Sequence, residues 1–336
     1  MIRKLYKART KKANAAKQLP VRITNDTVAE HREKILAGGR KHKYPLQYTK
    51  HRLIWNTVII SAIVLFLAGL LVWLQLYVWR DTGDIAYRIT RFLPLPAGKV
   101  DGEAVRYSDY LLYHRSTMAI QESQGRVDTA ADKAAFQRQQ AMTRAVEDAY
   151  VRKLARERDL RVGRDQVVAA IEQKRQESGL SAQGYEDVVR QHLGWSMDEL
   201  REVMQAALLR QAVAFSVDQT AADTSATVSS LLGKGKGLEA IAEELGQKVQ
   251  FVAPETVGKD NADGGLSLAA SALKPGQVSG ATKTLAGDGY YFIRLHSSDA
   301  TSVTYSYIRV PLTTLQEMVG SLKNDGKIHY YVKVEG

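Results

Sequence analysis

The sequence predicts a single transmembrane helix followed by an all-α domain and then a small α+β domain. Three observations lead there. Leu53 to Trp79 reads LIWNTVIISAIVLFLAGLLVWLQLYVW without one charge, closed by Arg52 and Arg80. From about Ser108 to Val217 apolar residues recur at helical spacing, and after Asp218 short strand-like runs take over. Charge is also divided: residues 1–52 hold 15 of the 47 Lys+Arg and 3 of the 36 Asp+Glu, a balance of +12 that leaves −1 for everything else.

At ~1.5 Å rise per residue a helix of this length exceeds the ~30 Å hydrocarbon core and spans with some tilt. Trp55 stands near one end, and Trp73, Tyr77 and Trp79 near the other, as an aromatic belt requires. Only Asn56, Thr57, Ser61 and Gln75 are polar, too few for the wet face of a soluble helix. The apolar run is too long, and too far from Met1, for a cleavable signal. By the positive-inside rule the tail 1–52 is cytoplasmic and all beyond Arg80 is extracytoplasmic, in a single-pass membrane protein. The near-neutral exterior part has no electrostatic footprint for nucleic acid. Absence of cysteine excludes disulfides, thiolate metal sites and thiol nucleophiles. The run Arg40-Lys41-His42-Lys43, with Lys50-His51-Arg52, reads as an orientation signal attracted to lipid, or as a docking site for anionic lipid or ribosomal RNA.

The pattern divides the chain into a basic tail (1–52), the span (53–79), a helical domain (80–218) and an α+β domain (219–336). In the tail, Asp26 to Ala37 is helical and closed by Gly38-Gly39. Pro94 and Pro96 forbid a helix, and Val100-Asp101-Gly102-Glu103 reads as strand and turn. Ser108 then N-caps a helix to about Glu122. Met142, Val146, Tyr150 and Leu154 form an inner stripe at four-residue steps. Gly163 ends that helix, and Val167, Val168 and Ile171 mark the next, closed by a Gly179-Leu180 Schellman pair. Ser181 opens a helix with Tyr185, Val188, Val189 and Leu193 inward, closed by Gly194. Ser196-Met197-Asp198-Glu199 has the form of a capping box. Further on, Val228–Leu232 and Leu238–Leu245 are helical, flanking a glycine-rich turn, and Leu266–Leu273 is a short helix ending at Pro275-Gly276. Lys248–Val252 is strand-like, and Tyr290–Leu295 pairs with Val303–Val310 as a hairpin. A helix at Thr313–Lys323 and a strand at Lys327–Val334 end the chain.

Two stretches, taken together, resemble known families. Leu95-Pro96-Ala97-Gly98-Lys99-Val100-Asp101-Gly102-Glu103, with the helical domain behind it, resembles the N-terminal chaperone domain of the SurA, PrsA and PpiD group of extracytoplasmic foldases. Gly264-Gly265-Leu266, then Ala270 to Ser279, then Gly289-Tyr290-Tyr291-Phe292-Ile293-Arg294-Leu295, is similar to the second half of a parvulin-type peptidyl-prolyl isomerase. The resemblance implies an all-α chaperone domain beside a small α+β parvulin-like domain. It also implies an ATP-independent holdase or foldase for unfolded or secreted polypeptides, near the secretion channel.

Active parvulins place two histidines beneath a Cys or Asp. The matching positions here carry Tyr291 and Tyr307, and the loop that would supply Cys or Asp reads Glu244-Leu245-Gly246-Gln247-Lys248. The stretch matching the family's first strand, Ser306–Val310, comes after the other elements, and Ala212–Val217 is a second candidate for that strand. A phenol with a pKa near 10 does not replace an imidazole pair, so the implied domain is degenerate, with Tyr291 and Tyr307 the candidates for any residual isomerase activity. Candidate client contacts are Tyr110, Leu111, Tyr113, Met118, Met142 and Met204, aromatic and thioether groups suited to adaptable surfaces. No cofactor and no metal is called for, the histidines standing singly. Three functions follow: a tethered holdase, an active isomerase, or a non-catalytic interaction subunit of a secretion or envelope complex.

Overall fold

The computed structural model describes residues 24–43, 45–123, 131–261, 263–284 and 287–332. The chain divides into two compact units at Trp73/Leu74. The first holds helices α1 (Asn25–Lys43) and α2 (Pro45–Trp73). The expected stop at Gly38-Gly39 does not occur: α1 runs through both glycines. Neither glycine takes a positive φ, so each costs the helix only about 1 kcal/mol relative to alanine and caps nothing. The first 23 residues, and the side chains of the basic runs at 40–43 and 50–52, lie outside the described residues. Among the described residues one helical run, Leu53–Val78, is long and apolar enough to cross a membrane, and its most apolar stretch is not covered by protein.

The second unit opens on a single π-helical turn, Leu74–Val78, and then the short helix α3 (Asp84–Phe92). Strands β1 (Pro96–Val100) and β2 (Glu103–Arg106) form an antiparallel hairpin. Its turn puts both Asp101 and Gly102 at positive φ, the two-residue geometry that matches strand twist and that an Asp-Gly pair tolerates. The chain's last strand, β7 (Ile328–Tyr330), returns to the free edge of β1 and completes a three-stranded sheet ordered β2-β1-β7. Gly98 makes that approach possible: a Cβ there would stand 2.7 Å from the His329 carbonyl oxygen. The predicted strand was longer; Lys333 and Val334 lie outside the described residues.

Helix α4 (Tyr107–Ser123) starts at the residue after β2, so Ser108 sits inside it and is no N-cap. Four more helices complete this region: α5 (Ala131–Glu157), α6 (Arg164–Glu177), α7 (Ala182–Leu193) and α8 (Met197–Val217). The stripe Met142, Val146, Tyr150, Leu154 is buried as expected. Val168 and Val188 are not; both face outward, about half and two-fifths exposed, because the packed arcs of α6 and α7 centre on Val167, Ile171 and Val189. Helix α5 ends at Glu157 and not at Gly163, which instead precedes α6, but three other caps fall where the sequence puts them. Ser181 Oγ accepts from the Gly184 N–H, Gly194 closes α7 in the left-handed region, and Ser196 and Glu199 cap each other reciprocally.

Ala212–Val217 is the last part of α8 and not a strand, with Val213 and Ala214 buried. Helices α9 (Gln219–Gly233) and α10 (Leu238–Leu245) lead into β3 (Gln250–Gly258) and α11 (Leu266–Ser271). Strands β4 (Thr282–Lys283), β5 (Gly289–Ser298) and β6 (Ser302–Pro311) complete an antiparallel sheet ordered β3-β6-β5-β4. Both faces are covered. Phe292, Ile308 and Val310 pack on α9 and α10, while Tyr291, Ile293, Leu295, Val303 and Tyr305 pack with Leu266 and Ala270 of α11. Burial on both faces explains why Tyr290–Leu295 reads as a nearly continuous apolar run. Among the described residues the chain is thus mostly helical, with one long apolar helix and a small antiparallel sheet in its C-terminal part.

Asp218, 2 % exposed, ties these parts together. One carboxylate oxygen caps α9 by accepting from the Ala221 N–H at 2.9 Å. The other accepts from the Thr313 and Thr314 N–H groups, at 2.8 and 3.0 Å, where α12 (Thr314–Asn324) begins. Burial alone would raise its pKa, but these backbone donors outweigh burial and hold it below the ordinary carboxylate value. Asp218→Ala strands buried donors and is expected to cost about 2–4 kcal/mol in denaturant unfolding followed by circular dichroism. Because its folded pKa is depressed, Asp218 contributes fully above the unfolded pKa of about 3.9, and the contribution is lost as pH falls through the folded pKa. The acid limb of the stability profile should therefore flatten in the alanine variant.

Candidate functional site

The helical region carries a crevice of about 330 Å³ between α4, α5 and α8, at the low end of the ~300–1,000 Å³ typical of ligand sites. Its apolar wall is Leu112, Val151, Val203, Ala206 and Leu209. Each faces inward by helical spacing: Val203, Ala206 and Leu209 are three apart on α8, one above another.

The polar wall is charged and mostly paired. Asp148, 3 % exposed, accepts from the Tyr113 hydroxyl and from Arg210 Nη2, the latter at 2.5 Å. Burial first, and then the Asp148 charge, push the Tyr113 phenol well above its ordinary value, so it stays a neutral donor. Arg152 Nη1 donates to Asp109 at 2.7 Å, while its Nη2 is buried without a partner. Glu202 at the rim is held by Arg91 at 2.5 Å; burial, opposed by that arginine and aided by Glu199, raises its pKa. Arg106 projects from the end of β2 on the same rim and makes no ion pair among the described residues. Such a slot offers carboxylate acceptors and guanidinium donors beside an apolar floor. That suits an extended backbone with one apolar side chain inserted.

Of the candidate contacts, Tyr110, Leu111, Met142 and Met204 are closed inside the helical core, none more than 7 % exposed. Burial pushes the Tyr110 phenol up to about 12. Tyr113 lines the crevice and Met118 is exposed on α4. Sequence periodicity alone cannot separate an inward residue that fills the core from one that edges a cleft. Asp109, Asp148, Arg152 and Glu202 were missed, because a charge on a helix reads as a solvated face until a neighbouring helix covers it.

Tyr291 and Tyr307 do come together. They lie on neighbouring strands with ring centroids 5.5 Å apart, and Tyr305 stands 6.2 Å beyond. All three belong to the cluster beneath α11. Tyr291 donates to Asp288 at 2.8 Å and Tyr305 to Asp263 at 2.7 Å. Burial first, then these carboxylates, raise both phenols; burial also raises Tyr307. None is a base near neutral pH. His296 instead bonds Ser306 at 2.9 Å. Among the described residues no group of three or more His, Asp or Glu is placed to hold a metal.

The family of SurA-like N-terminal domains matches residues 47–214, half of the chain, and the chain belongs to that family, whose role is chaperone-like. The matched segment takes in the apolar helix, the hairpin and the crevice, and it ends in the last turn of α8, ahead of the four-stranded sheet. No characterised protein and no solved structure matches the chain.

Tyr113→Phe removes one donor from buried Asp148 while Arg210 remains. A loss of about 1–3 kcal/mol in unfolding free energy is expected, read from the urea midpoint of the full chain in detergent.

Proposed function

We propose that the chain is a membrane-tethered, extracytoplasmic, ATP-independent holdase that binds unfolded secreted polypeptides in the crevice of its helical domain. The observation that carries this reading is the crevice itself, a slot with an apolar floor and a rim of mixed charge inside the family's matched segment. Burying one Leu- or Phe-sized client side chain contributes about 1.5–3 kcal/mol. That is weak and reversible, as a holdase needs. The apolar run Leu53–Val78, with a charge balance of +12 before it and −1 after it, supports a single span with the tail in the cytoplasm. A tether confines such a weak binder to the membrane surface and raises its effective concentration for nearby clients.

The four-stranded sheet fits a parvulin-like domain without catalysis. Tyr291 and Tyr307 occupy the positions where the resemblance implies histidines, and both phenols stay neutral. In this reading the domain serves as a docking surface.

The full chain in lipid nanodiscs should slow aggregation of an unfolded client at several-fold molar excess. Ala206→Trp, which fills the slot, should abolish most of the effect without loss of fold. Equal aggregation with and without the protein would sink the holdase reading. A single stoichiometric crosslinked partner in intact cells would favour an interaction subunit. In the same preparation cis/trans exchange of a proline tetrapeptide should run at the buffer rate, and an acceleration removed by Tyr291→Phe would establish an isomerase.

A further inference from the structure

We propose that α3 is an interfacial foot: its outer face lies in the headgroup region of the membrane that holds the span, and so sets the standing position of the chaperone domain. The inference rests on the reading of Leu53–Val78 as a membrane span.

The inner face of α3 is accounted for by protein. Ala86, Tyr87 and Thr90 are buried. Arg91 reaches Glu202 at 2.5 Å and Glu199 at 3.7 Å, and Arg115 reaches Asp84 at 3.1 Å with its guanidinium 4.5 Å from the Tyr87 ring centre. Burial alone would raise Glu199, but its bonds from Ser196 and the Arg115 charge hold its carboxyl below the ordinary range.

Among the described residues the outer face has no protein partner to explain it. Ile85 is 67 % exposed, Phe92 86 % and Leu93 43 %, with Ile89 half-buried between them. Spacings of four, seven and eight residues put all four on one stripe. Arg88 falls on the same stripe and makes no ion pair among the described residues. A short helix with bulky apolar groups, an aromatic and a cation on one face has the composition of an interfacial helix, seated about 5–10 Å into the headgroup boundary.

What identifies the occupant is the attachment to the end of the span. The Gln75 side chain donates to Asp81 at 2.6 Å, and the other Asp81 oxygen accepts from the Gly83 N–H at 2.8 Å, at the residue that precedes α3. The Asp81 N–H donates back to the Gln75 carbonyl at 3.0 Å. The N-terminus of α3 is therefore bonded to the final turn of the apolar run. Trp79, 66 % exposed, and Arg80 lie on the connection, an aromatic and a cation of the kind that settle at a membrane border. The stripe starts a few residues after the last residues of the apolar run, and left in water it would be costly. The membrane already present covers it.

The chain has no cysteine of its own, so single labels are clean. Ile85→Cys, Phe92→Cys, Leu65→Cys within the span and Glu239→Cys on α10 are each made in the full chain and labelled with an environment-sensitive NBD fluorophore. They are then reconstituted in phosphatidylcholine–phosphatidylglycerol vesicles with or without nitroxide-bearing lipid. The expected result is blue-shifted emission, quenched by headgroup-proximal nitroxide, at 85 and 92, deep quenching at 65 and water-like emission at 239. If 65 is quenched while 85 and 92 behave like 239, the foot is overturned and the span stands. If 65 is not quenched, the span reading fails and the foot fails with it.

Discussion

The last carbonyls of an α-helix have no intrahelical partners and must be met by other groups. In this chain the Leu76 carbonyl is met at 2.8 Å by the hydroxyl of Tyr107, the first residue of α4. Both residues are fully buried, and the Tyr77 ring stands edge-on to Tyr107 while its own hydroxyl donates to the Pro96 carbonyl at 2.8 Å. The widened π-helical turn at Leu74–Val78 turns those groups toward the hairpin, and the hairpin's other edge receives the chain's last strand. The π-helical turn, the start of the hairpin and the start of α4 therefore meet around one tyrosine. Burial raises the Tyr107 phenol well above its ordinary value, so it remains a donor at any physiological pH.

Around that anchor, a few buried charges do more than the many surface pairs. Asp148 and Asp218 each accept several hydrogen bonds where water is excluded. Removing a partner from such a group leaves a desolvation cost with no compensation. The Arg161–Asp159 pair, with both side chains more than four-fifths exposed, contributes little by comparison. The rim of the crevice carries the same kind of pairing: Arg152 bonds Asp109 and Arg91 bonds Glu202.

Much of the architecture was legible residue by residue. Ser181, Gly194 and the Ser196–Glu199 box mark helix ends because a cap is a local bond between near neighbours. The Tyr290–Leu295 and Val303–Val310 hairpin was legible from its β-branched and aromatic runs and the polar loop between them. Ser108 misled because β2 runs straight into α4 and leaves no free N-terminal turn to cap. Ala212–Val217 misled because a six-residue apolar run fits a strand or a buried helix end equally well. The candidate site was the least legible part. Tyr113 was found as an aromatic on a helix, whereas Asp148, Arg152 and Glu202 acquire meaning only when three helices bring them to one cleft.

The sequence by itself determined the apolar run, the charge split across it, the helix caps and the change from helical to strand-like pattern. These are one-dimensional properties, carried by composition and by contacts within a few residues. Tertiary structure alone decided that Ile328–Tyr330 pairs with Pro96–Val100, across more than two hundred residues, because only Gly98 leaves room for that backbone. It also decided that Tyr291 and Tyr307 share a face, which depends on strand register, and which polar side chains line a cleft, which depends on helix packing. Register and packing are fixed by long-range burial, and no local pattern encodes them.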